Sequence, residues 1–123
     1  MRVLLSIKPE YADRIFTGEK KYEFRRAIFK NQKVTNVVVY ASSPVRKVIG
    51  EFEVLDVIHD DVGALWEKTR SFAGISESKF FDYFSDRDKG YAISIGETHK
   101  YQQSLSLREE FGLTPPQSFV YLS

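Results

Sequence analysis

The apolar positions of this chain fall into strand-like runs and helix-spaced stripes. Val3 to Ile7 is a short leucine- and valine-rich run that predicts a strand. Val37-Val38-Val39-Tyr40-Ala41 is continuous rather than alternating, as for a strand buried on both faces. Val45 to His59 reads as one long strand with Gly50 inside it, where a lone glycine marks a bulge, a bend or the close approach of another group. Tyr91 to Gly96 alternates cleanly. Tyr101 to Leu107 is its predicted partner, with Glu97 to Lys100 connecting the two, and Ser118 to Leu122 is a last strand after Pro115 and Pro116.

Helical spacing recurs three times. Pro9 opens a helix that runs to Phe16, with Glu10 and Asp13 complementing its N-terminal dipole, Tyr11 and Ile15 on one face, and Gly18 as its stop. A second follows Asp60 or Asp61 as N-cap and turns Leu65, Trp66 and Thr69 inward. Ser76 caps a third, whose stripe of Phe80, Phe81 and Phe84 predicts core or a lid. Ala27 to Asn36, Ser42-Ser43-Pro44 and Asp86 to Gly90 read as turns. Six or seven strands with three short helices, mostly joined by loops, predict an α+β fold: a mixed, barrel-like sheet flanked by helices, in one domain over residues 1–123.

One stretch fits neither pattern. Thr17 to Arg26 holds four basic residues, two carboxylates and two aromatics beside Gly18. Read as a strand, it directs Lys20, Tyr22, Phe24 and Arg26 to one face and Lys21, Glu23 and Arg25 to the other. Such a run builds either a solvated edge or the floor of a polar cleft.

The bulk numbers narrow the function classes. A hydrophobic fraction of 42% and an aromatic fraction of 15% predict a folded globule. No apolar run approaches the ~20 residues of a spanning helix, so no membrane partner is expected. A charge as early as Lys8 argues against a secretory signal, and the lack of cysteine fits a cytoplasmic protein without disulfide or thiolate chemistry. With only His59 and His99 available, no metal site is expected, and no cofactor. The net charge of +1 conceals an asymmetry: residues 1–47 carry 11 Lys/Arg against 4 Asp/Glu, and residues 48–123 carry 7 against 13. That split fits a basic surface for an anionic partner, or two halves whose charges intermingle on folding.

Gly18-Glu19-Lys20-Lys21-Tyr22-Glu23-Phe24-Arg25 has the form G-x-K-x-x-E-x-R and resembles the signature of the ASCH domains, whose fold resembles the PUA domain. Leu5 to Tyr11, Tyr40 to Pro44, Val48 to Phe52 and Pro116 to Leu122 resemble the same family in the same order, so the likeness spans nearly the whole chain. The resemblance implies a small β-barrel with a helix beside a cleft lined by the motif. It also implies an RNA-binding or RNA-modifying module, with a role in RNA metabolism or in regulating transcription or translation. One branch of the family hydrolyses an acetylated cytidine nucleoside with a lysine, a threonine and a glutamate, and another is ribonuclease-like. Here the threonine position of the first branch is Glu23, a poor stand-in for an alcohol nucleophile.

The candidate site follows. Lys20, Glu23 and Arg25 form its centre, with Lys20 and Glu23 the candidate catalytic pair. Tyr40, Ser42 and Ser43 are expected on the opposite wall. Lys20 and Arg25 supply donors to phosphate or a base edge, Tyr40, Tyr22 or Phe24 can stack a base, and the two serines either hold a phosphate or simply start a turn. Glu51 is the candidate second acid or a plain strand carboxylate. His59 beside Asp60 and Asp61 reads as a helix-entry cluster. The expected ligand is RNA or a nucleotide-like molecule. The alternatives are a metal-independent hydrolase of RNA or of a modified nucleoside, and a regulatory module that touches protein.

Overall fold

The computed structural model describes residues 1–122. Its strands are β1 (Arg2–Ile7), β2 (Tyr22–Arg25), β3 (Asn36–Ala41), β4 (Lys47–Asp61), β5 (Lys89–Leu105) and β6 (Phe119–Leu122). Its helices are α1 (Pro9–Thr17), α2 (Val62–Thr69), α3 (Glu77–Tyr83) and α4 (Leu107–Phe111), with a 3-10 turn at Arg70–Phe72. The strands form one mixed sheet in the order β2-β5-β4-β3-β1-β6, in which only β1 and β3 run parallel. Among the described residues no helix is long and apolar enough to cross a membrane.

The continuous apolar run of β3 is buried on both faces, as its pattern predicts. Val37, Val38 and Val39 have no exposed surface. Val37 and Val39 pack with Val3, Leu5, Ile15, Phe52 and Ile93 under α1, while Val38 and Tyr40 pack on the other face with Leu4, Val48, Leu107 and Leu122. The period of two divides one strand between two cores. A third cluster gathers the helical aromatics: Phe80 lies 4.9 Å from both Phe24 and Trp66 and 5.0 Å from Phe84. Phe80 and Phe84 of the predicted stripe are therefore core, packed with Phe24 of β2, whereas Phe81 is exposed.

Several expectations are corrected. The sheet does not close into a barrel, because the four-residue edge strands β2 and β6 each pair on one side alone. Glu97 to Lys100 is not a connection. It continues β5 as a single strand whose register with β4 shifts at irregularities instead of at a hairpin turn. The chain predicted as strand through Leu107 ends at Leu105, and Ser106 caps α4 by accepting from the Glu109 amide. Asp61 stands at the N-cap position of α2, as predicted, but makes no side-chain cap bond; both aspartates end β4, and Asp60 pairs with Lys68. Ser76 does cap α3, accepting from the Lys79 amide. Gly50 sits at a register shift, and a Cβ there would lie 2.5 Å from the His99 carbonyl oxygen of β5 and 2.6 Å from the Phe16 ring of α1. The neighbouring strand and the helix, not a ligand, make the close approach.

Candidate functional site

The opening between β2, the β1–α1 corner and the approach to β6 is where the sheet fails to close, and it holds a cleft of about 780 Å³. Arg25, on β2, donates from Nη1 to the Ser6 carbonyl on β1 (3.1 Å) and from Nη2 to the Ser118 carbonyl just before β6 (3.0 Å). One side chain spans the gap that a strand ladder does not. Glu23, two residues earlier and on the same face, lies 3.3 Å from Arg25 Nη1 and is 6% exposed. The alternation expected of Glu23 and Arg25 holds, and it gives a buried ion pair at the floor of the cleft.

Lys20 lies before the ladder of β2, which begins at Tyr22. Its amide donates to the Arg14 carbonyl and that of Lys21 to the Phe72 carbonyl, both at 2.9 Å, which bends the chain around the segment after the 3-10 turn. Lys20 therefore lines the same cleft as Glu23 while keeping contact with Phe24, its companion in the alternation. Its side chain is 2% exposed, with Nζ donating to the Ala73 carbonyl at 2.8 Å and lying 4.6 Å from the Phe24 ring centre and 5.4 Å from that of Tyr11. Gly74, at φ 64°, passes so close that a Cβ there would collide with the Lys20 side chain, and its carbonyl accepts from Arg14 at 3.0 Å.

Burial pulls the Lys20 ammonium down to about 8; the charge of Glu23 opposes this and that of Arg14 adds to it. Among the described residues no carboxylate lies within 4 Å of Nζ. A backbone carbonyl and two ring faces hold the amine, and its remaining donor capacity faces the cleft. Tyr83 of α3 and Tyr11 of α1 also line it, and burial is the main cause that raises both phenols above their ordinary range.

The structure thus brings together Lys20, Glu23 and Arg25. It does not bring Tyr40, Ser42 or Ser43 to them. Tyr40 is 5% exposed and packed on the opposite face of the sheet, because the alternation of β3 sends it away from α1. Ser42 and Ser43 form a turn beyond the end of β3, where the Ser42 amide donates to the Ile7 carbonyl and its own carbonyl accepts from Val45. They do not line the cleft. Tyr22 is half-buried against the helical aromatic cluster, and Phe24 offers its ring to Lys20 from within that core. Glu51 lies elsewhere, accepting from the Tyr101 hydroxyl at 2.8 Å. His59 stacks on Tyr91 at 4.2 Å.

The wall opposite the motif is α3. Lys79, Asp82 and Tyr83 supply it, with Ile75 just before the helix, and the Arg26 guanidinium lies over the Tyr83 ring, 4.5 Å from its centre. Sequence reasoning treated this helix as an apolar stripe and passed over Tyr83. The signal was present: Tyr83 stands three residues after Phe80, on the same helical face, with a hydroxyl that a pure core position does not need.

The ASCH domain model matches residues 5–111. The chain belongs to the ASCH domain family. A protein named ASCH domain-containing ribonuclease from Zymomonas mobilis is 32% identical over 97% of this chain and 82% of its own length. Two Ureaplasma parvum proteins, named ATP synthase subunit alpha and large ribosomal subunit protein uL22, are each 31% identical over 98% of this ASCH domain, which spans only 15% and 39% of their lengths. The crystal structure of ASCH from Zymomonas mobilis superposes with a TM-score of 0.91 at 30% identity, covering 99% of this chain and 87% of that one. The N-terminal domain of Staphylothermus marinus McrB shares the fold alone, with a TM-score of 0.53 at 14% identity over 89% of this chain and 80% of that one. An open six-stranded mixed sheet with short helices is thus the architecture of this ASCH domain.

Proposed function

We propose that this ASCH domain binds RNA, or a nucleotide-like ligand, in the cleft at the open edge of the sheet, and acts in RNA metabolism. The observation that carries the reading is the buried Lys20 ammonium, which faces the cleft without a carboxylate partner beside an ion pair that fixes the floor. A ligand oxygen of phosphate, sugar or base completes its hydrogen bonding. Five cations (Lys8, Lys20, Arg25, Arg26 and Lys79) line the cleft against three carboxylates (Glu10, Glu23 and Asp82), a surplus that favours an anion. The ribonuclease named among the relatives supports RNA as the ligand class. Arg25 has its donors directed at two backbone carbonyls and Glu23, so in this reading it shapes the site and Lys20 meets the ligand.

The second reading, metal-independent hydrolysis, is favoured by the lowered Lys20 value. With a value of about 8, about a tenth of the amine is neutral at pH 7 and can accept a proton. In ribonuclease-like cleavage that proton comes from a ribose 2′-hydroxyl whose oxygen attacks the adjacent phosphorus. The bond from phosphorus to the 5′ oxygen then breaks, and that oxygen is protonated as it leaves.

One gel series tests both readings. End-labelled single-stranded RNA with EDTA is followed for shift and cleavage with the wild type and with Lys20→Ala. Binding is expected to be lost or strongly weakened in the variant, with a shallow salt dependence corresponding to ~2–4 phosphates. Cleavage that disappears with Lys20→Ala selects the hydrolase. Wild-type binding that Lys20→Ala leaves intact, or a salt slope near zero, rejects the cleft as the RNA site.

A further inference from the structure

Arg26 is the first residue past β2, and its side chain is exposed at the rim of the cleft. Its guanidinium lies 4.5 Å from the centre of the Tyr83 ring, and among the described residues it makes no ion pair. The Tyr83 ring is itself braced edge-on by Phe84 at 4.8 Å, and Phe84 is 1% exposed. A guanidinium is therefore placed over a braced ring at an exposed rim of the cleft.

That arrangement differs from the solvated lysines nearby. A lysine offers a point charge to any phosphate. A guanidinium stacked on a ring offers a flat, polarisable face with N–H groups around its edge. The partner that matches such a face is the π-face of a nucleobase. Paired bases in a duplex cover one another's faces and present only their edges, so a face-on platform selects a base that is out of a stack.

We propose that Arg26, seated on Tyr83, is a stacking platform for an unpaired nucleobase adjoining the nucleotide held in the cleft. The ligand of this site is then a single-stranded RNA of at least two nucleotides, in preference to a duplex or a mononucleotide. This rests on the reading of the cleft as an RNA site.

The test uses the full chain and a ten-nucleotide RNA with 2-aminopurine at its centre, beside the same sequence paired in a hairpin stem and UMP as competitor. Arg26→Lys keeps the charge and removes the plane. It is expected to weaken the single strand by about tenfold, to lose the 2-aminopurine quenching that stacking produces, and to reduce the preference for the oligonucleotide over UMP. The wild type is expected to bind the hairpin stem at least tenfold more weakly than the single strand. Tyr83→Leu, checked for folding by circular dichroism, should reproduce the loss of quenching. Wild-type affinity and quenching in Arg26→Lys, or equal binding of stem and strand, overturns the platform. If the single strand binds through Lys20 yet ignores Arg26→Lys, only the platform falls. If the wild type binds no RNA at low salt, the reading of the cleft falls, and the platform with it.

Discussion

Two carboxylates on this sheet have similar partners and opposite surroundings. Glu23 pairs with Arg25 at the floor of the cleft and is 6% exposed. Glu51, on β4, accepts from Tyr101 and lies 3.9 Å from Arg2 with more than a quarter of its side chain exposed. The Glu51 group closes on itself: a carboxylate, a phenol and a cation satisfy one another at the surface. The Glu23 group leaves a residue over. Lys20 sits beside the ion pair with no carboxylate of its own, its charge disfavoured by burial. The difference teaches what separates a structural cluster from a candidate site. Both are polar and both are hydrogen-bonded, but only one holds unused donor capacity at a cavity.

The comparison breaks most severely at Arg25. Arg25→Ala removes the partner of a buried carboxylate and two bonds that tie β2 to β1 and to the approach of β6. Breaking a buried pair from one side costs about 3–5 kcal/mol, and partial exposure of Arg25 places this case near the lower bound. Urea denaturation should show a loss of about 3 kcal/mol. An unchanged midpoint would mean that the gap in the sheet needs no strut.

Next in size is Gly74, the residue that fits against Lys20. Alanine there meets both the left-handed φ, a penalty of about 1–2 kcal/mol, and a collision with the Lys20 side chain. Gly74→Ala is expected to destabilise by about 2–3 kcal/mol and to move Lys20 from its place. Gly63→Ala is the control. Gly63 is in α2 with no heavy atom near its added methyl, so alanine should stabilise by up to about 1 kcal/mol. Equal effects in the two variants would remove the claim that the 73–74 segment positions Lys20.

Lys20 itself should gain stability when its charge is removed. Its folded value of about 8 lies below the unfolded 10.5, so below pH 8 the folded state carries a penalty on the order of 3 kcal/mol. As pH rises from 8 to 10.5 the unfolded chain holds more protons than the folded one, and the penalty fades. Lys20→Met keeps most of the volume but loses the bond to Ala73. It should therefore be more stable than wild type by about 1–2 kcal/mol at pH 7, after about 1 kcal/mol for that bond. The advantage should vanish or reverse by pH 10.5. A variant less stable at pH 7 would show that Lys20 is held for the fold and not for a ligand.

How much of this was legible depended on range. The strands other than β5, α1 with its stop at Gly18 and the cap at Ser76 came from local period and capping chemistry, which act within a few residues. Pairing of Glu23 with Arg25 was legible because alternation alone sets it. The burial of Lys20 was not legible because it depends on contacts with Phe72 and Ala73, more than fifty positions away. Tyr40 and the two serines were assigned to the cleft from the family's order of motifs, but order along a chain does not say which face a strand turns to a given helix. The barrel failed for a similar reason: strand count does not reveal that both edge strands are four residues long and unpaired with each other. Tyr83 was legible from its spacing to Phe80, but that the face they share meets the cleft at Arg26 is set by packing.

The smallest effect is expected at Tyr101, on the closed side of the comparison. Tyr101→Phe removes the hydroxyl that donates to Glu51, but Arg2 and water remain to solvate that carboxylate. The cost should be about 1 kcal/mol. It should also depend on pH in a direction that Lys20 does not share. Burial and the Glu51 carboxylate raise the Tyr101 phenol above its ordinary 10, so above pH 10 the unfolded chain loses a proton that the folded one keeps. Wild-type stability then falls with rising pH, and the gap to Tyr101→Phe narrows, whereas wild type gains on Lys20→Met between pH 8 and 10.5. RNA affinity should stay within twofold of wild type, since Tyr101 lies outside the cleft. A tenfold loss of RNA binding in Tyr101→Phe would erase the distinction between the two clusters and place ligand contacts on the face assigned here to structure alone.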